Sequence, residues 1–146
     1  MSKWRARALD LFPDMRMDIQ SAESVGRLWI ELILRLEPHY SAHPDVATQD
    51  SPNLLRAICF FATWCKASDS PETREAAAIH FYFELPRFAL QRPASVYKRF
   101  IQELIASLPV MEIEKMGGAL QPSDMKRFLA DVRQADDERR QRSRKR

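Results

Sequence analysis

His80 and Glu84 stand four residues apart, so on an α-helix they lie one turn apart on the same side. A carboxylate beside an imidazole can hold one tautomer, as a general base requires. Catalysis by such a pair also needs a nucleophile, and no serine or cysteine is spaced in the chain to stand beside it. With Thr73, which falls within about 40° of both on a helical wheel, the pair makes a narrow polar stripe. The simpler reading is a solvent-facing strip, or a structural hydrogen bond from His80. His39 and His43, also four apart and followed by Asp45, come nearest to a metal-ligand pattern. Pro38 and Pro44 interrupt a helix across them, and zinc wants three or four well-spaced ligands. We read them as loop histidines and expect no metal and no cofactor. Three glycines, Gly26, Gly117 and Gly118, cannot compose either familiar phosphate-binding loop, which excludes nucleotide hydrolysis by those routes.

The last eight residues, 139–146, hold six of the 23 basic residues and no acidic one, leaving 17 basic against 20 acidic residues elsewhere, a net of −3. The basicity is therefore a property of the terminus. Arg139, Arg140, Arg142, Arg144, Lys145 and Arg146 would attract polyanions by counterion release whatever the fold. They carry no aromatic neighbours for base stacking, so the association expected is weak, salt-sensitive and non-specific; the plainer reading is a solubilising terminus. Cys59 and Cys65, six apart, would point about 120° away from each other on one helix and cannot pair within it. Ordinary buried thiols in a reducing compartment are the expectation.

At 146 residues one domain can bury roughly 68–70% of its unfolded surface, so no staple is required. Apolar residues recur at three- and four-residue spacing, and alternating Val/Thr runs are missing, which indicates an all-α fold. The longest apolar run is far short of the roughly 20 residues of a membrane span, and charges occupy the N-terminal stretch where a signal peptide has its apolar core. The expected location is the cytoplasm, with no membrane contact.

The elements that would position these residues make a bundle of five to six helices. The central one is residues 21–37, with Ser21 as its cap, alternating charges at Glu23, Arg27, Glu31 and Arg35, and Val25, Leu28, Trp29, Leu32, Ile33 and Leu36 opposite. Ile30 and Leu34 break this pattern from the charged side, so either a second layer covers them or they contact a partner. A short helix over 3–12, stopped by Pro13, is the candidate lid, and 13–20 is a connection. Residues 38–50 read as loop. A helix follows from Ser51 as cap with Pro52 in its first turn, placing Phe60 and Trp64 at the edge of its apolar face. Ser70 and Pro71 start the next, expected to run to Leu85, to be largely buried and to end at Pro86. Residues 86–93 then connect, with Phe88 and Leu90 as anchors, to an amphipathic helix over 94–108. Val110 to Met116 adds a short helical turn and Gly117-Gly118 an exit. The last helix opens at 122–124 and buries Met125, Phe128, Leu129 and Val132. Past Val132 it should project and fray, with Asp136–Arg140 and Glu138–Arg142 as favourable pairs. The domain is thus 1–135, with a charged extension at 136–146.

The stretches LWIEL at 28–32, FATWCKAS at 61–68 and HFYFELP at 80–86 resemble an uncharacterised family of small bacterial all-helical domains of unknown function. The resemblance rests on aromatic packing residues of consecutive helices and would cover roughly 20–132. It implies the fold and leaves function open. With no catalytic constellation, the expected function is a non-enzymatic interaction module that binds another protein, as an immunity or antitoxin-like protein would, with Ile30, Leu34, Phe60 and Trp64 as candidate contacts. The alternative is a nucleic-acid-associated protein working through its basic terminus.

Overall fold

The computed structural model describes residues 2–116 and 120–144, and these form helices and turns with no strand among them. Among the described residues there are nine α-helical segments: α1 (Lys3–Leu11), α2 (Arg16–Ser21), α3 (Val25–Leu36), α4 (Ser51–Lys66), α5 (Pro71–Ala77), α6 (Leu85–Leu90), α7 (Ala94–Ile105), α8 (Val110–Met116) and α9 (Pro122–Arg144). Turns of 3-10 helix occupy Pro13–Met15, Glu37–Tyr40 and Thr48–Asp50, and a π turn occupies Ala78–Tyr82. The all-α class is as expected, but the count exceeds five to six because two stretches read as connections are helical.

The first is 13–20. Pro13 opens a turn where its missing amide costs nothing, and α2 follows, burying Met15 and Ile19. This shifts the start of the central helix. Ser24, with extended backbone, is the cap: its Oγ accepts from Arg27 N–H at 3.1 Å. Ser21 closes α2 instead, its hydroxyl donating to the Met17 carbonyl at 2.7 Å. Glu23 consequently lies outside the helix, while Arg27 and Glu31 form the expected pair at 3.5 Å.

The second is 86–93, where α6 follows a break in the helix expected from Ser70 to Leu85. Ser70 does cap α5, its Oγ accepting from Thr73 N–H at 3.3 Å. The helix then widens into the π turn, with Phe83 N–H donating to the Ala78 carbonyl at 2.9 Å. Pro86 does not end a helix; it sits in the first turn of α6, where it needs no amide partner. The broken axis exposes Ile79 and Phe83, so this segment is less buried than its composition implied.

α4 is the hub, touching α1, α3, α5 and α7, while α9 lies across α6, α7 and α8. At the centre Trp29 of α3 packs between Phe61 of α4 and Phe81 of the π turn, with ring centroids 5.2 and 5.3 Å away. A second cluster places Phe100 of α7 against Tyr40 and Phe88 at 4.9 and 5.4 Å. Each fully buried large side chain contributes roughly 1.5–3 kcal/mol, and both clusters belong to one continuous core. Cys59 and Cys65 are buried free thiols on α4. Burial pushes both up, Cys65 to about 12, so neither is a thiolate near neutral pH.

α9 remains helical through Arg144 rather than fraying past Val132. Ala135 is buried, the Asp136–Arg140 pair forms at 3.2 Å, and Arg139 Nη1 donates to the Ile105 carbonyl at 2.9 Å. An arginine at the carboxyl end of α7 satisfies an orphan acceptor and complements the helix dipole. The Gly117-Gly118 exit and the terminal cations Lys145 and Arg146 lie outside the described residues.

Candidate interaction groove

Ile30 and Leu34 are not covered by α1, which packs on α2 and α4 instead. They remain 37% and 53% exposed. Together with Trp29 and Ile33 of α3 they wall a groove of about 290 Å³, closed on its other side by His80, Glu84, Phe88 and Arg92. The structure therefore joins two sets of residues that were separate on the sequence, the apolar pair of α3 and the polar pair of the π segment. Gly26 makes the approach possible. A β-carbon there would lie 3.3 Å from His80 Nε2, so any larger residue would press on the imidazole.

The polar stripe does not stay together. Thr73 is buried and lines a different cleft, of about 700 Å³, with Trp4 and Trp64. His80 is half-buried and Glu84 exposed. Among the described residues no hydrogen bond joins those two; the Glu84 carboxylate lies 3.8 Å from Arg87 instead. Phe60 is 50% exposed on α4, outside the groove, and Trp64 stacks on Phe61 at 6.1 Å with rings nearly parallel. Of the four candidate contacts, only Ile30 and Leu34 share a concavity.

The groove is backed by a polar network that the sequence reading missed. Arg92 lies 3.9 Å above the Phe88 ring and donates to the Phe88 carbonyl at 2.9 Å and, at 3.5 Å, to that of Tyr40. Tyr40 is buried, and its hydroxyl donates to Glu103 Oε1 at 3.1 Å. Arg99 reaches Glu103 at 3.4 Å and donates to the His39 carbonyl at 2.8 Å. His39 Nδ1 in turn lies 2.8 Å from Ser51 Oγ. Ser51 is thus the first residue of α4 and a partner of His39, not its cap. Burial lowers the proton affinity of His39, which Asp50 partly opposes and Arg35 and Arg99 reinforce. Burial also holds the Glu103 carboxyl above the usual range, against the hydrogen bond from Tyr40 and the charge of Arg99. The available signal was the opposite charge of Arg99 and Glu103, one turn apart on the polar side of α7.

His43 and Asp45 are exposed, whereas His39 is half-buried on Ser51. Among the described residues no three His, Cys, Asp or Glu side chains gather as metal ligands, and no helix is long and apolar enough to cross a membrane. A scan against family models finds no match to the chain, and comparisons with curated proteins and with solved structures find none either. The likeness drawn from the three aromatic stretches rests on those residues alone.

Proposed function

We propose that the chain is a non-enzymatic protein-interaction module, cytoplasmic and of the immunity or antitoxin kind, whose partner docks in the groove between α3 and residues 80–92. The observation that carries this reading is the open placement of Ile30 and Leu34 in a concavity over the Trp29 core. Scattered exposed apolar residues are ordinary, but an adjacent pair in a groove with a polar rim offers the anchor geometry of an interface. An amphipathic helix is the form of partner that suits such a groove. The test is affinity purification from the native host with the intact chain and with Ile30→Asp/Leu34→Asp, after circular dichroism has shown both folded. A protein retained by the intact chain and lost by the variant is the expected result. Identical captured sets would refute it.

The second reading is association with nucleic acid through the basic terminus, supported by the exposure of Arg142 and Arg144 at the end of α9. Deletion of the whole tail would also remove the Arg139 contact with α7. The clean variant is therefore alanine at Arg142, Arg144, Lys145 and Arg146. Loss of salt-sensitive DNA or RNA binding in that variant supports this reading, and unchanged binding rejects it.

A further inference from the structure

A second concavity, of about 350 Å³, shares no lining residue with the groove. Its apolar surface comes from Ala78, Tyr82, Phe83 and Met116, and its rim from Lys66, Arg74, Lys115 and Glu112. The π turn builds the floor: the hydrogen bond from Phe83 N–H to the Ala78 carbonyl draws Phe83, 41% exposed, over the first residue of the turn. Single π turns are frequent at functional sites. The Tyr82 hydroxyl is buried, so the pocket meets the ring.

Three cations against one carboxylate give this rim a local charge of +2, whereas the chain outside residues 139–146 carries a net −3. Internal contacts use only part of that charge. Glu112 lies 3.5 Å from Lys66, whose ammonium also sits 5.3 Å from the centre of the Tyr82 ring. Arg74 spends one guanidinium nitrogen on the Ser68 carbonyl at 2.7 Å, leaving the rest of its fork. Lys115 is exposed, with no ion pair among the described residues. An apolar floor rimmed by positive groups suits an amphipathic anion, and the volume is at the lower end for small-molecule sites.

We propose that this pocket, formed by the end of α4, by α5, by the π turn and by α8, binds a small organic carboxylate, its apolar body on Tyr82, Phe83 and Met116 and its charge between Arg74 and Lys115. The proposal does not depend on the groove having a protein partner.

The test is titration of the full-length chain with naphthalene-2-carboxylate at low salt, followed by amide chemical shifts, with uncharged 2-naphthamide as the control. Saturable shifts at Arg74, Tyr82, Phe83 and Lys115 are expected, and the amide should bind about tenfold more weakly. Arg74→Ala and Lys115→Glu, both at exposed positions, should weaken the carboxylate by about threefold to tenfold while leaving the amide unchanged. Phe83→Ala should weaken both probes. Equal affinity for the two probes, carboxylate binding that survives Arg74→Ala/Lys115→Glu, or no saturation at millimolar ligand would each overturn the proposal.

Discussion

A proton placed on His39 meets a partly desolvated site, which Asp50 partly offsets, and the charges of Arg35 and Arg99. The imidazole therefore binds protons less readily in the folded chain than at its ordinary value of 6.5. The unfolded chain takes up the proton first, so the stabilisation is complete above pH 6.5 and is lost as pH falls toward the folded value. In urea titrations the intact protein should lose stability below that point, and His39→Gln should show a flatter profile there. Glu103 acts with the opposite sign. Its raised carboxyl favours the protonated folded form, so its cost is absent well below 4.5 and appears as pH rises through the folded value. Tyr40→Phe deletes the donor to this half-buried carboxylate and should lower stability by about 1 kcal/mol, read from the same titrations at neutral pH.

Among the elements, the caps allow the sharpest comparison. Ser24→Ala removes the acceptor for the first turn of α3 and should cost about 1 kcal/mol, whereas Ser21→Ala should change the melting midpoint little. The reverse ranking would mean that α3 begins a turn earlier. Helices with long apolar stripes, α3, α4 and α7, were legible because burial of one face imposes its period on the sequence. Tyr40 was not, because a single aromatic between Pro38 and Pro44 has no period to reveal that it is buried against Phe100. Pro86 misled for a related reason. A proline marks the loss of one amide bond, and the sequence does not say whether the chain stops there or restarts, as it does once the π turn has shifted the axis. Ile30 and Leu34 were visible as exceptions to a pattern, yet their meeting with His80 and Glu84 depends on how two distant segments cross. Local spacing cannot encode that.

For the whole molecule, α9 determines where the chain can be cut. Arg139 docks on the end of α7, and Tyr97 donates to Asp131 at 2.8 Å across the same pair of helices. Truncation after Ala135 should therefore lower stability by about 1 kcal/mol, and truncation after Arg140 should not, as measured by thermal unfolding. The expected charged extension at 136–146 is, at its start, part of this helix–helix contact. The two thiols of α4 carry a further consequence. Sealed inside the bundle and fully protonated, they can meet an aromatic disulfide reagent only after the surrounding helices part. Their colour-forming reaction is thus an internal clock for opening, and a third cysteine placed on the surface could carry a dye without either native sulfur being removed.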